Sequence, residues 1–392
     1  MDLDPPVKTQ ALKCELQALI ASDAPHIHMR NGTRLAESEA EWLAWKAWSA
    51  KLYARQFFGR NWPVEYGGVA DATPFDDFMV AGEIAKAHVP SLLFFATLAA
   101  HAIIGSGTDD QKRRFLPPTR ASEIVWCQLF SEPGGGSDLA ALTTRAERRG
   151  DHYVINGQKV WNTQAQMADY GFLLARTSKE GSKHAGISAF VISMRQPGVT
   201  VRPIREITGT EDFNEVFFED AIVPIGDRLG EEGEGWNVAT KALAKERLNT
   251  ALYALVTGVS MNDLLAAARD MQQARGALPD GYRHRLVDLY ASCRVTELLG
   301  MRLATREHSG KMGLADPPIT KSVFSESFLG LATFALQLHA EYALFEENDP
   351  LAADGGRWKD MFLYARANTI AGGSSEIMRN ILSERVLGMP RG

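Results

Sequence analysis

Three regimes of hydrophobic spacing follow one another along the chain. From about Val7 to Arg120 apolar residues recur at helical spacing in Ala-, Leu- and Lys-rich sequence. Trp42, Trp45 and Trp48 fall at i, i+3 and i+6 on one stripe there, which predicts packing rather than ligand contact. The longest apolar run, Leu92 to Ile104, contains His101 and falls short of the roughly 20 residues that a bilayer span needs, so it predicts a buried helix. Pro117-Pro118, followed by Thr119-Arg120-Ala121-Ser122, is expected to break the helical pattern and mark a boundary. Between Glu123 and Pro224 the period becomes two, predicting strands over Ile124–Phe130, His152–Ile155, Gly171–Arg176, Ile187–Met194, Val199–Ile204 and Asn214–Phe218. Asn156-Gly157 reads as a tight hairpin turn, and a turn that short implies antiparallel neighbours. After Gly233-Glu234-Gly235 the helical period returns, with Leu248, Leu252, Leu255 and Val259 on one stripe and further helices to Ile381.

This order predicts an α+β protein: an N-terminal helical bundle over 1–120, a central antiparallel β-domain over 121–230 and a C-terminal helical bundle over 231–392. It is not the βαβ alternation of a dinucleotide fold, which disfavours nicotinamide binding through a Rossmann unit. No internal repeat or low-complexity segment interrupts it. With 392 residues, 45% hydrophobic and 23% charged, the chain can bury a large core and hold two or three domains. A net charge of −6 argues against a general affinity for nucleic acid or an anionic membrane but leaves room for a local basic pocket. Cys14, Cys127 and Cys293 are too scattered for a disulfide framework or a zinc site, so no metal and a reducing, cytoplasmic setting are expected. The opening Met1-Asp2-Leu3-Asp4-Pro5-Pro6 has no secretory pattern.

Candidate chemistry concentrates in Gln128-Leu129-Phe130-Ser131-Glu132-Pro133-Gly134-Gly135-Gly136-Ser137-Asp138 and in Lys159-Val160-Trp161-Asn162-Thr163. Successive glycines between Ser131 and Ser137 let backbone amides approach an anion such as a pyrophosphate, although a glycine run alone is more often a surface turn. The first stretch resembles the Ser/Thr-Glu-Pro-x-x-Gly-Ser-Asp segment of the acyl-CoA dehydrogenase family. Asn156-Gly157-Gln158-Lys159-Val160-Trp161-Asn162-Thr163 resembles that family's Asn-Gly-x-Lys-x-Trp-x-Thr segment. Asn214-Glu215-Val216-Phe217-Phe218 and Gly373-Ser374-Ser375-Glu376-Ile377 fit two later blocks. The likeness runs from Trp62-Pro63 and Tyr66-Gly67-Gly68 to Glu384-Arg385-Val386-Leu387-Gly388, nearly the whole chain.

The resemblance implies a flavin, FAD, extended between the β-domain and the C-terminal bundle with part of its site supplied by a neighbouring subunit. Carried over by motif position, Gln128, Phe130, Ser131, Gly136 and Ser137 contact the flavin, Trp161 lies against the isoalloxazine, and Asn162 and Thr163 follow it, Thr163 near N5 and O4. Ser374 and Glu376 also match flavin-touching positions, and Gln337 matches a glutamine that reaches a partner's cofactor. The implied reaction removes two hydrogens from an acyl-CoA thioester: a base takes the α-proton while the β-hydrogen leaves as hydride to the flavin. Donors must stabilise the developing enolate, and the implied backbone donor is the amide of Gly372, beside Gly373. Many relatives carry the catalytic glutamate on that loop, where this chain has Gly372. Others use a glutamate just before an arginine on a helix, which here is Glu246 before Arg247. On a helical wheel Glu246 falls with Ala239, Leu243, Thr250, Tyr253 and Thr257, a mixed face that could line a pocket. Arg247 and Ser137 are the further substrate candidates. Each residue also has a plainer reading: a solvated glutamate, a core tryptophan, a strand threonine, a turn or capping serine, an ion-paired arginine.

Two departures qualify the likeness. After Gln337 most relatives have two glycines, but this chain reads Leu338-His339-Ala340-Glu341, placing a carboxylate where a pyrophosphate would come. The family's Arg-x-x-Phe-Gly contact is replaced by Gln273-Ala274-Arg275-Gly276-Ala277. The pattern resembles bacterial subgroups in which two dehydrogenase-like chains form an α2β2 tetramer, several acting on steroid side-chain CoA esters. The expected assembly is therefore a homo- or hetero-tetramer, with an electron-transferring flavoprotein as acceptor. The alternatives are a non-catalytic subunit that completes a partner's site, and a flavin oxidase or monooxygenase on the same fold.

Overall fold

The computed structural model describes residues 7–27, 36, 38–90, 93–246, 249–346 and 349–390. It divides into two compact units, one of Met1–Gly32, Thr73–Pro90 and Arg247–Gly392, the other of Thr33–Ala72 and Ser91–Glu246.

The second unit holds helices α2 (Glu39–Ala54), α4 (Leu93–Ser106), α5 (Asp109–Arg120) and α6 (Gly235–Glu246), the first holding α1 (Val7–Asp23) and α3 (Pro74–Lys86). Its strands are β1 (Trp126–Leu129), β2 (Arg145–Arg149), β3 (His152–Lys159), β4 (Tyr170–Arg176), β5 (Ile187–Ser193), β6 (Val199–Ile204), β7 (Phe213–Pro224) and β8 (Arg228–Leu229). They form one sheet in the order β6-β7-β3-β2-β4-β5-β8, with β1 on β4. The sheet is mostly antiparallel as expected, but β1 runs parallel to β4, and β2 touches β4 through the parallel pair Arg145 and Arg176. The period of two sorts side chains onto opposite faces. Trp126, Phe172, Leu174, Ala189 and Val191 join a core with α4, α5 and α6, while Cys127, Leu129, Leu173, Phe190 and Ile192 join Tyr153, Ile155, Val216 and Phe218. The tryptophan stripe of α2 packs as anticipated, with Trp45 and Trp48 buried. The apolar run also forms a helix, in which Leu98, Ala99, Ala100, Ala102 and Ile103 are buried.

Several expectations are corrected. Helix α5 runs through Pro117 and Pro118 instead of breaking there. Proline removes two intrahelical donors, but the turn is closed by Ala121 N donating to Pro117 O (3.0 Å) and Glu123 N to Pro118 O (2.9 Å). It is anchored by buried Phe115 and Leu116 and by Trp126 Nε1 donating to Thr119 Oγ1 at 2.9 Å. Asn156-Gly157 is not a hairpin turn: both residues lie inside β3, at a shift in its register with β7. The Asn156 amide bridges the irregularity, donating from Nδ2 to Asp220 Oδ1 (2.9 Å) and accepting at Oδ1 from Asp220 N (3.0 Å). Gly157 is required because the strand passes so close to Thr144 that a Cβ would sit 2.7 Å from its Cα, at φ 149°. Strand β7 extends well past the expected Phe218. Strands β2 and β8 were missed, β2 because Arg145-Ala146-Glu147-Arg148-Arg149 buries only Ala146.

In the first unit α7 (Asn249–Arg275), α8 (Asp280–His308), α9 (Asp316–His339), α10 (Arg357–Ile370) and α11 (Ser375–Asn380) join α1 and α3. Met261, Leu264, Leu286, Cys293, Phe324, Phe328, Leu331, Trp358 and Met361 form their core. The expected stripe of α7 is displaced. Leu248 lies outside the described residues, Leu252, Leu255 and Val259 are only half-buried, and the buried positions include Ala254, Thr257, Ser260, Met261, Leu264 and Ala268. Tyr253, half-buried, stacks on Phe324 (ring centroids 5.6 Å apart), and Thr257 Oγ1 donates to Tyr253 O at 3.1 Å. Among the described residues no helix is long and apolar enough to cross a membrane.

Candidate active site

The two motifs of the β-sheet unit meet at the exits of β1 and β3. Val160 N donates to Ser131 O at 2.9 Å, and Asn162 Nδ2 to Gln128 O at 2.8 Å. Between these bonds lies a buried ion pair: Lys159 Nζ donates to Glu132 Oε1 at 2.8 Å and to Phe130 O at 2.9 Å. The Glu132 carboxylate also accepts from Thr144 N (2.9 Å), Thr143 N (2.7 Å) and Thr143 Oγ1 (2.7 Å). Burial alone would raise the Glu132 carboxyl, but the charge and hydrogen bond of Lys159 and the donors of Thr144 outweigh it and bring it down to about 2. Burial depresses the Lys159 amine to about 8 against the opposing pull of Glu132.

Beyond Lys159 the chain turns sharply. Trp161 (φ 61°) and Gln164 (φ 60°) are both left-handed. Asn162 N donates to Asn214 O (3.1 Å) and Gln164 N to Asp212 O (2.9 Å), while Asn214 Nδ2 returns a bond to Asn162 O at 2.9 Å. Alternate amides are thus committed inward, and those of Trp161 and Thr163 find no acceptor among the described residues. The Trp161 indole is 60% exposed and meets Phe213 edge-on, with ring centroids 6.0 Å apart. Thr163 is half-buried, whereas Asn162 is 1% exposed with its amide turned to Gln128.

In the glycine-rich segment Glu132 and Gly135 pair reciprocally, each amide donating to the other's carbonyl at 3.0 Å, which folds Pro133-Gly134 into a two-residue turn. Gly134 and Gly136 have nothing within 4 Å of where a Cβ would stand, and Ser137 is exposed, so this backbone is open to an approaching group. The Gln128 side chain is exposed; Phe130 is buried and packs edge-on to Phe172 at 5.1 Å. Lys183 Nζ meets Asp138 Oδ1 at 2.8 Å, and Arg176 donates to the carbonyls of Ala140 (2.8 Å) and Leu142 (3.1 Å), fixing the far end of the loop.

In the helical unit, Gly372 (φ 66°) and Gly373 (φ 96°) form the loop between α10 and α11. Gly372 is exposed, and its amide donates to no acceptor among the described residues. Ser374 caps α11, accepting from Ile377 N at 3.3 Å, and Glu376 is exposed in the first turn. Gln337 is exposed on the last turn of α9, its carbonyl accepting from Tyr282 Oη at 3.3 Å. Ala340 just beyond it has φ 50° and ψ −129°, a conformation suited to glycine. Glu246 is the last residue of α6, but its side chain, like the whole of Arg247, lies outside the described residues. By backbone position it continues the row of Gly235, Ala239 and Ala242, which α6 buries. Glu132, Lys159, Thr143 and Thr144 were not singled out from sequence. The available signal was that Glu132 and Lys159 stand at fixed positions of the two motifs.

The chain is an α+β protein of helices, one mostly antiparallel sheet and further helices, and its likeness to known proteins gives the family. Three family models match in order: the acyl-CoA dehydrogenase N-terminal domain over residues 28–123, the middle domain over 127–221 and the C-terminal domain over 233–387. The chain belongs to the acyl-CoA dehydrogenase family. "Acyl-CoA dehydrogenase IpdE1" of Mycobacterium tuberculosis is 37% identical over 349 residues, covering 88% of each chain. Among solved structures, the "Tcur3481-Tcur3483 steroid ACAD" aligns with TM-score 0.90 at 28% identity over 100% of both chains. The "ChsE4-ChsE5 complex from Mycobacterium tuberculosis" aligns with TM-score 0.86 at 28% identity, again over 100% of both.

Proposed function

We propose that this chain catalyses FAD-dependent α,β-dehydrogenation of an acyl-CoA thioester with a branched or bulky acyl group. The observation that carries the reading is the exposed Trp161 indole, standing on a strained turn whose inward amides are all paired while those of Trp161 and Thr163 are not. A planar aromatic ring system edged with hydrogen-bond acceptors suits such a surface, and the open backbone at Gly134 and Gly136 suits a pyrophosphate. The residues present therefore fit FAD, which when bound supplies the hydride acceptor. Gln128, Phe130, Ser131, Gly136 and Ser137 would hold it from the first motif, and Trp161, Asn162 and Thr163 from the second. In this reading Phe130 and Asn162 act from beneath, Phe130 by packing on Phe172 and Asn162 by its bond to Gln128 O. Ser374, Glu376 and Gln337 would contribute from the helical unit, Ser374 while capping α11.

Glu246 takes the α-proton. The support is its sequence match: a glutamate directly before an arginine at the end of α6, where relatives without a loop glutamate carry the base, while Gly372 leaves the loop position without a carboxylate. The free amide of Gly372 stabilises the thioester oxygen as negative charge develops, with Gly373 allowing close approach and Arg247 and Ser137 holding substrate. We keep the three-part division at 120 and 230 as the functional one. The steroid named for one structural relative supports a bulky acyl group, and two relatives named as two-chain assemblies support a tetramer containing a second dehydrogenase-like chain. An electron-transferring flavoprotein is the proposed acceptor and the cytoplasm the proposed setting, in keeping with three scattered cysteines.

The test is anaerobic titration of the purified chain with short, branched and steroid-type acyl-CoA esters, beside Glu246→Gln. Bleaching of the visible flavin band by one class, slowed at least about 100-fold in the variant, is expected. Equal bleaching in the variant would remove Glu246 from the reaction. A flavin band that no ester bleaches would favour the non-catalytic subunit, and rapid consumption of oxygen a flavin oxidase.

A further inference from the structure

The Glu132–Lys159 pair is nearly sealed from water, at 6% and 0% exposure, yet it lies one residue from each of the segments assigned to the cofactor. A buried ion pair is poor evidence for stability, because its desolvation offsets its attraction and an apolar pair of similar volume often serves as well. What an apolar pair cannot do is impose direction. Here one ammonium donates to two acceptors that flank Ser131, the Phe130 carbonyl at 2.9 Å and Glu132 Oε1 at 2.8 Å. The bond from Val160 N to Ser131 O at 2.9 Å then ties the next residue of β3's exit to the same point. Opposite it, the carboxylate is held by Thr143 and Thr144, so the ammonium is pulled toward a fixed anchor.

We propose that Glu132 and Lys159 are positioning residues: their buried bond fixes the Ser131 backbone against the Trp161–Thr163 turn before any ligand arrives. This rests on the assignment of those segments to FAD. Neither side chain touches the cofactor in this account. Both act through the backbone of their neighbours, as supporting residues do around other preorganised sites.

Lys159→Met in the full chain removes the ammonium and leaves Glu132 its three donors from Thr143 and Thr144, so the fold should persist by circular dichroism. Two readouts separate positioning from general support. Exchange of the Val160 amide should accelerate at least about tenfold while the rest of β3 keeps its protection, and FAD affinity should fall by about 10- to 100-fold with a changed flavin spectrum, the range found for supporting residues elsewhere. Glu132→Gln, which keeps the shape and one acceptor, should shift both in the same direction by a smaller factor, and it decides the matter if the methionine variant does not fold. Wild-type exchange at Val160 together with wild-type FAD affinity and spectrum in a folded variant would overturn the clamp and leave the FAD assignment standing. A wild-type chain that binds no FAD would overturn the assignment, and with it the clamp's role.

Discussion

Gly157→Ala is the sharpest test of the geometry around the two motifs. A methyl group there would stand 2.6 Å from Thr144 Oγ1, 2.7 Å from its Cα and 2.9 Å from its Cβ. Thr144 cannot retreat, because its amide donates to Glu132 Oε1 at 2.9 Å and its carbonyl accepts from Arg176 N at 2.7 Å. Relief must therefore come from displacing β3, with a backbone strain of about 1–3 kcal/mol at φ 149°. Overpacking adds about 1–3 kcal/mol, for a total of about 2–6 kcal/mol. For a cooperative unit of this size that corresponds to a fall in Tm of roughly 4 to 24 °C, read by thermal denaturation followed by tryptophan fluorescence. Adding Thr144→Ala removes only the Oγ1 contact and should recover a minor part. A fall smaller than about 3 °C would refute the close approach and restore the turn reading of Asn156-Gly157.

Two further outcomes follow from the same physics. The Glu132 carboxyl is held at about 2 in the folded chain against 4.5 ordinarily, so its stabilisation is complete above that ordinary value and lost as pH falls through 4.5 toward 2. The stability gap between wild type and Glu132→Gln, from urea unfolding at stepped pH, should shrink by about 3 kcal/mol between pH 6 and pH 2, and a flat gap would show that the pair does not hold the carboxylate ionised. Ala340→Gly should raise Tm by a few degrees, since relieving an alanine at φ 50° and ψ −129° is worth about 1 kcal/mol or more, whereas no gain would mean that the chain is not strained there.

The layout of helices and strands was legible because it depends on period. The alternation in Gly171–Arg176 and Ile187–Met194 and the run ending at Ile104 translate directly into the sheet faces and α4. What sequence could not supply was set by contacts distant in the chain. The proline pair stays helical because Trp126 and the core hold its turn, and the Asn-Gly pair becomes a β-irregularity because Thr144 and Asp220 come to meet it. The buried row of α7 differs from the apolar stripe because that helix is packed on more than one side, admitting Thr257 once its hydroxyl bonds back to Tyr253. The two motifs do come together in space, Val160 N meeting Ser131 O and Asn162 Nδ2 meeting Gln128 O. They did not reveal that Phe130 and Asn162 point inward while Trp161 points out, a distinction made by the turn that follows Lys159.

That turn is where local preference is most openly overruled. Two left-handed residues other than glycine, three positions apart, bracket Asn162 and Thr163. Conformations of this kind cost on the order of 1–3 kcal/mol each and persist only where the surroundings over-determine them. Here the surroundings are the bonds from Asn162 and Gln164 to Asn214 and Asp212, with Lys159 of the buried ion pair two residues before Trp161. Asn162 Oδ1, Asn214 Oδ1 and both amide atoms of Gln164 are nonetheless buried without a protein partner, the kind of group that internal water serves. A stretch selected for stability alone would have neither the strained backbone nor the incompletely paired amides. Their coincidence beneath the exposed Trp161 indole is what the proposed function requires, a turn shaped in advance to receive a flat ring.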